Sequence, residues 1–263
     1  MRFTLNKMLS EHREVVEYAF VHPEDKISVN QFLGKTIRLS WTGNIYCRKC
    51  TKKTKKSFGE GFCYTCFMSA PEASPCIIHP ELCEAHLGKG RDLEYEQKNH
   101  NQPHFVYLAA TEIVKVGVTR ATQIPTRWID QGAKQAIIIA ETPNRYLAGV
   151  IEVALKEVFA DKTNWQNMLR DITDDSIDLI EEKWKTEELL PSDLSQYFND
   201  TEEIIEFIYP VLSYPEKVSS LGFEKTSEIS GVLTGIRGQY LMFDNKNVIN
   251  IRKHTGFEIE LNA

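Results

Sequence analysis

The sequence predicts an α+β protein laid out in stages: a cysteine-rich module near the N-terminus, a strand-strand-helix-strand-helix domain, an acidic helical segment and a C-terminal β-meander. Three observations predict this. All six cysteines lie between Cys47 and Cys83, and four of them form the doublets Cys47-x2-Cys50 and Cys63-x2-Cys66. Residues 105–159 alternate short apolar runs with one stretch of helical periodicity. The tail from Gly231 returns to short strand-like runs separated by turn residues.

Composition bounds the rest. With 263 residues, 42% hydrophobic and 26% charged, the chain is an ordinary globular one with room for more than one core. A net charge of −6 does not by itself announce a nucleic-acid binder, but the charge is unevenly placed. Arg48, Lys49, Lys52, Lys53, Lys55 and Lys56 fall within nine residues that contain no acid. Residues 161–206 carry fourteen acids against four Lys or Arg, a local balance of −10. No stretch has the apolar length of a signal peptide or membrane span, so we expect a cytoplasmic protein without disulfides.

Taken in order, residues 32–41 read as a strand pair, with Gly43 starting a turn into the first doublet. Residues 46–104 have few apolar runs, so metal must hold them. Residues 105–110 and 113–119 read as strands joined by a tight turn at Thr111-Glu112. A short helix follows, with Pro125 near its first turn and Gly132 as its stop. Residues 136–141 are a buried strand. Residues 144–159 form the clearest helix, with Leu147, Val150, Ile151, Ala154, Leu155 and Val158 on one stripe. In the acidic segment, Asp200 and Glu203 have capping-box spacing ahead of a helix beginning at Ile204. Beyond Pro210 and Pro215, residues 231–261 form the meander, turning at residues 244–247. The expected segments are 1–45, 46–104, 105–160, 161–210 and 211–263, the last able to pack on the first.

The four cysteines of the two doublets have the spacing of a zinc ribbon, in which each C-x2-C knuckle gives two sulfurs to a tetrahedral Zn²⁺. A second Zn²⁺ is indicated downstream. Cys76-x2-His79 and Cys83-x2-His86 are knuckle-like, and Cys76, Cys83 and His86 are its first choices. His79, His100 and His104 are the alternatives for its fourth ligand.

The central residues resemble the GIY-YIG superfamily, metal-dependent nucleases. Val106-Tyr107 stands at the first tyrosine motif, Val116-Gly117 at the second, Arg127 at the arginine of the first helix and Glu152 at the carboxylate of the second. The resemblance implies that Tyr107 orients or deprotonates a water, Arg127 pairs with phosphate and Glu152 holds Mg²⁺ or Mn²⁺. Lys115 replaces the second tyrosine and either joins that catalytic set or marks a site that binds without cutting. Over nearly its full length the chain also resembles an uncharacterised bacterial family known only as a domain of unknown function. The residues that carry this likeness are the two doublets with residues 53–58, Tyr107-Leu108-Ala109, the run 123–133 and residues 238–241.

These readings lead to a zinc-stabilised DNA- or RNA-binding protein, with the six cations of the ribbon on phosphates and metal-dependent cleavage as the sharper form. The alternative is a non-catalytic scaffold that meets a protein partner through the acidic residues 161–208.

Overall fold

A computed structural model describes residues 1–160, 164–174 and 176–263. In chain order the strands are β1 (Arg2–Thr4), β2 (Leu9–Glu11), β3 (Glu17–Val21), β4 (Lys26–Ser28), β5 (Thr36–Tyr46), β6 (Lys53–Thr54), β7 (His104–Ala110), β8 (Val114–Arg120), β9 (Gln135–Thr142), β10 (Ile204–Glu206), β11 (Ser219–Leu221), β12 (Glu228–Arg237), β13 (Tyr240–Phe243), β14 (Asn247–Asn250) and β15 (Phe257–Asn262). The helices are short: α1 (Tyr64–Ser69), α2 (Leu93–Asn99), α3 (Thr126–Asp130), α4 (Arg145–Leu155), α5 (Trp165–Leu169) and α6 (Leu179–Glu187). The protein is therefore mixed α+β, with several sheets and few helices. The chain divides into two compact units, one of Met1–Met68, Ile129–Gly132 and Phe207–Ala263, the other of Ser69–Trp128 and Ala133–Glu206. Among the described residues no helix is long and apolar enough to cross a membrane.

In the first unit the large sheet runs β1-β15-β5-β12-β13-β14-β11, with β6 also paired to β5. Strands from both ends of the sequence thus share one sheet, and β5 is its hinge, bonded to β15 on one side and β12 on the other. The period-2 pattern places Ile37 and Leu39 of β5 inside and Thr36 and Arg38 outside. Gly43, expected to begin a turn, lies within β5. The ladder jumps there from Ile45–Phe257 to Trp41–Ile259, four residues of β5 against two of β15, and Gly43 takes φ +84°. A bulge absorbs the extra residues and the strand continues. The β12-β13-β14 meander turns at Asp244 and Asn245, both with positive φ, which their short polar side chains tolerate. A separate small sheet runs β2-β3-β4.

The second unit has a four-stranded antiparallel sheet, β10-β9-β7-β8, with β7 bonded along its whole length to both neighbours. Helix α4 packs Ala148, Ile151 and Leu155 against Val106, Leu108, Val116, Ile137 and Ile139. Asn144 starts α4 by accepting a hydrogen bond from the Leu147 amide at 3.0 Å. The helix stops at Leu155, so Val158, expected on the buried stripe, is exposed.

The acidic segment departs most from expectation. Its described part holds only α5 and α6 as α-helices; residues 161–163 and 175 lie outside the described set. Asp200 and Glu203 do not cap a helix, because Ile204 and Ile205 form β10 and pair with Ile137 and Ala136. The open edge of β9 offers these β-branched residues a ladder, and that outweighs the local capping pattern. The caps in this segment are Asn164, accepting from the Gln166 and Asn167 amides on α5, and Asp178, accepting from the Ile180 and Glu181 amides on α6.

Candidate metal centres and central site

The first cysteine cluster is built by two hairpins. β5 ends at Tyr46, and β6 folds back on it, pairing Thr54 with Ile45. The connection is closed by the Cys47 amide on the Lys52 carbonyl, with Thr51 at φ 59°. A second tight loop, Phe58 to Phe62, runs through positive φ at Gly59, Glu60 and Gly61 and delivers Cys63, while Cys66 sits in α1. All four sulfurs lie within 4.8 Å of one another, and Cys50 and Cys63 are 3.9 Å apart. A tetrahedral zinc with Zn–S near 2.3 Å would set its sulfurs about 3.8 Å apart, so these cysteines could hold a zinc ion. None is in a disulfide.

The thiols do not ionise independently. Burial pushes the Cys47 thiol up, but the backbone amides of Cys50, Cys63 and Lys49 outweigh it and bring it down to about 6. Cys66 is pushed up to about 12, chiefly by its hydrogen bond to Cys63. One thiolate forms readily and opposes the others, until a dication reverses the balance.

Arg48, Lys49, Lys52, Lys53, Lys55 and Lys56 are all exposed around this cluster. Lys56 lies over the Phe58 ring at 5.3 Å, and Phe58 meets Tyr64 edge-on at 5.5 Å. Tyr64 is 60% exposed.

A second cluster forms in the other unit. Cys76 and Cys83 lie in a succession of single 3₁₀ turns, three of them opened by Pro71, Pro75 and Pro80. Glu96 and His100 are one turn apart, on α2 and at its C-cap. The ligand atoms of Cys76, Cys83, Glu96 and His100 all lie within 4.8 Å of one another, and all four residues are buried. The Cys76 sulfur is 3.8 Å from His100 Nδ1, and Glu96 Oε2 pairs with the same nitrogen. The Cys76 thiol is lowered to about 4, first by its hydrogen bond with Cys83, and the Cys83 thiol is raised by the same bond.

Of the histidines weighed from the sequence, only His100 joins this cluster. His86, a first choice there, is stacked on Tyr146 at 4.6 Å. His79 is exposed and pairs with Glu81 at 3.3 Å. His104 opens β7, fully buried, with Nδ1 2.7 Å from the Gln102 carbonyl. Burial lowers its pKa to about 3. Glu96 was missed. Its signal was the (i, i+4) spacing to His100, which puts both on one face of a helix.

In the central sheet, Tyr107 of β7 stands opposite Gly117 of β8. A Cβ at Gly117 would come 2.6 Å from the Tyr107 hydroxyl, so the glycine makes room for the ring. Tyr107 is fully buried, edge-on to Trp128 at 5.7 Å. Lys115 is buried on β8, and Arg127 is half-buried on α3. Glu152 is buried on α4, with Oε2 3.1 Å from Lys156 Nζ. Burial raises its pKa, with Lys156 opposing. Among the described residues two groups have the closeness of a metal site, and Glu152 belongs to neither.

No curated protein and no solved structure matches this chain. One family does: the model of "Protein of unknown function (DUF2797)" matches residues 34–259. That span takes in both cysteine clusters, the central sheet and most of the C-terminal strands, and the chain belongs to the DUF2797 family.

Proposed function

We propose that this is a nucleic-acid-binding protein that grips phosphates with a zinc-stabilised knuckle. One observation carries the reading: six exposed cations within nine residues surround the Cys47/Cys50/Cys63/Cys66 cluster, with the exposed Tyr64 joined to them through Phe58 and Lys56. The cations of such a loop release the counterions condensed on backbone phosphates, and an exposed aromatic offers a stacking face to a base. Zinc would fix the two hairpins so that the cations are presented together; its contribution is structural. Because the whole chain is acidic, attraction must come from this local patch. The test is retention of labelled single-stranded and duplex DNA and RNA at low salt. Wild type should bind, and reversal of Lys52, Lys53, Lys55 and Lys56 to glutamate should abolish binding. Equal affinity in the two proteins would overturn the proposal.

A second reading, phosphodiester cleavage on a GIY-YIG-like arrangement, is favoured by the layout of the central sheet. β7 lies between β8 and β9, α3 connects those two, and α4 follows, with Tyr107 opposite Gly117 and Glu152 on α4. In this reading Arg127 holds the phosphate, Tyr107 or Lys115 serves the nucleophile and Glu152 binds Mg²⁺ or Mn²⁺. The ion would have to displace Lys156 from Glu152. Wild type and Glu152→Ala are compared on single-stranded, duplex and branched substrates with either metal. Cleavage lost in the variant supports this reading. Binding without cleavage by wild type refutes it and leaves recognition alone.

A further inference from the structure

We propose that the second unit carries its own Zn²⁺, held by Cys76, Cys83, His100 and Glu96, and that this ion clamps residues 71–100 onto α4. Two sulfurs, an imidazole nitrogen and a carboxylate oxygen make a four-donor set of the kind zinc takes in tetrahedral sites. They come from separate pieces of chain, the 3₁₀ turns and α2, and converge in the interior.

The surroundings ask for a cross-link. The apolar cluster here consists of Cys76, Cys83 and Ala85 with Tyr146 against them, far too little to hold a succession of single 3₁₀ turns. Charge points the same way. Two thiolates and a carboxylate around a dication leave one negative charge. Arg145 lies beside it, donating from Nε to the Cys76 carbonyl and from Nη2 to the Ile77 carbonyl, both at 2.9 Å. Among the described residues the buried Glu96 carboxylate is paired with the His100 ring, and burying a carboxylate is costly unless it is paired or held by a cation.

The same residues tie the loop to α4. The Arg145 amide donates to the His100 carbonyl at 2.9 Å. Gly149, one turn on, lies against the Pro80–Glu81 backbone so closely that a Cβ would sit 2.2 Å from the Glu81 nitrogen. The ion would therefore fix the loop against the helix that carries Glu152.

The full chain, purified with zinc and dialysed against metal-free buffer, is assayed for zinc by mass spectrometry and for its ligands by X-ray absorption. The expected result is two zincs per chain, with an average of about three sulfurs per zinc because the first site offers four and the second two. Cys76→Ser with Cys83→Ser should lower the count to one, and so should Cys63→Ser with Cys66→Ser. One zinc per chain, surrounded by four sulfurs, overturns the proposal. The wild-type measurement alone decides this, even where a variant fails to fold.

Discussion

Neutralising Lys52, Lys53, Lys55 and Lys56 with alanine should flatten the salt dependence of nucleic-acid binding, and the size of the change follows from the loop. Six exposed cations stand between residues 48 and 56, and Arg48 and Lys49 remain in the variant. With one phosphate per cation on a single strand, the slope of log K against log salt is about −0.7 per contact, or roughly −4 for wild type and −1.4 for the variant. Raising salt from about 50 to 200 mM should then weaken wild type roughly 300-fold and the variant roughly 7-fold. The assay is fluorescence anisotropy of a labelled oligonucleotide titrated across that range, with zinc content measured in both proteins. A slope unchanged in the variant would refute the argument, because other cations would then be meeting the phosphates. An absence of wild-type binding at the lowest salt would remove the nucleic-acid reading.

Two further predictions concern the second unit. Gly149→Ala drives a methyl into the Pro80–Glu81 backbone, which cannot yield as a flexible side chain would, and should cost about 1–3 kcal/mol; an unchanged thermal melt would show that the loop is not held against α4. His104 is buried, with its pKa lowered to about 3 from the ordinary 6.5, so the unfolded chain takes up a proton that the folded one refuses. Its stability contribution is complete above pH 6.5 and is lost as pH falls toward 3, at about 1.4 kcal/mol per pH unit. In denaturant titrations between those limits, wild type should lose that much more per unit than His104→Gln, since both share every other titration; parallel curves would refute the assignment.

What could be read from the sequence was what local spacing dictates. The C-x2-C doublets survive as a sulfur cluster because each knuckle is only a few residues long. The strands 105–110 and 113–119 and the α4 stripe rest on periodicity that tertiary contacts reinforce. Misreadings arose where a distant partner decided. Ile204 and Ile205 became a strand because β9 had a free edge. Gly43 stayed inside β5 because β15, more than two hundred residues away, continues the ladder past it. In the second cluster the cysteines were legible, but the choice of histidine depended on where α2 lies. The carboxylate escaped notice because acids are common on helices and only its turn-to-turn relation with His100 marks it.

The interleaving of the two units constrains how the polypeptide emerges during synthesis. Every residue of the second unit has been made once Glu206 is added, whereas the first still lacks β11 to β15. β5 emerges early, yet β12 begins roughly 180 residues after β5 ends. At translation rates of about 5–20 residues per second, its long edges wait roughly ten to forty seconds for their partners. An unpaired strand of that length is a template for association between nascent chains. During the wait its one nearby partner in the ladder is the two-residue β6, and a zinc ion on the four cysteines that follow within twenty residues would anchor that hairpin. Metal supply during translation, rather than after release, should therefore govern how much of the protein escapes aggregation.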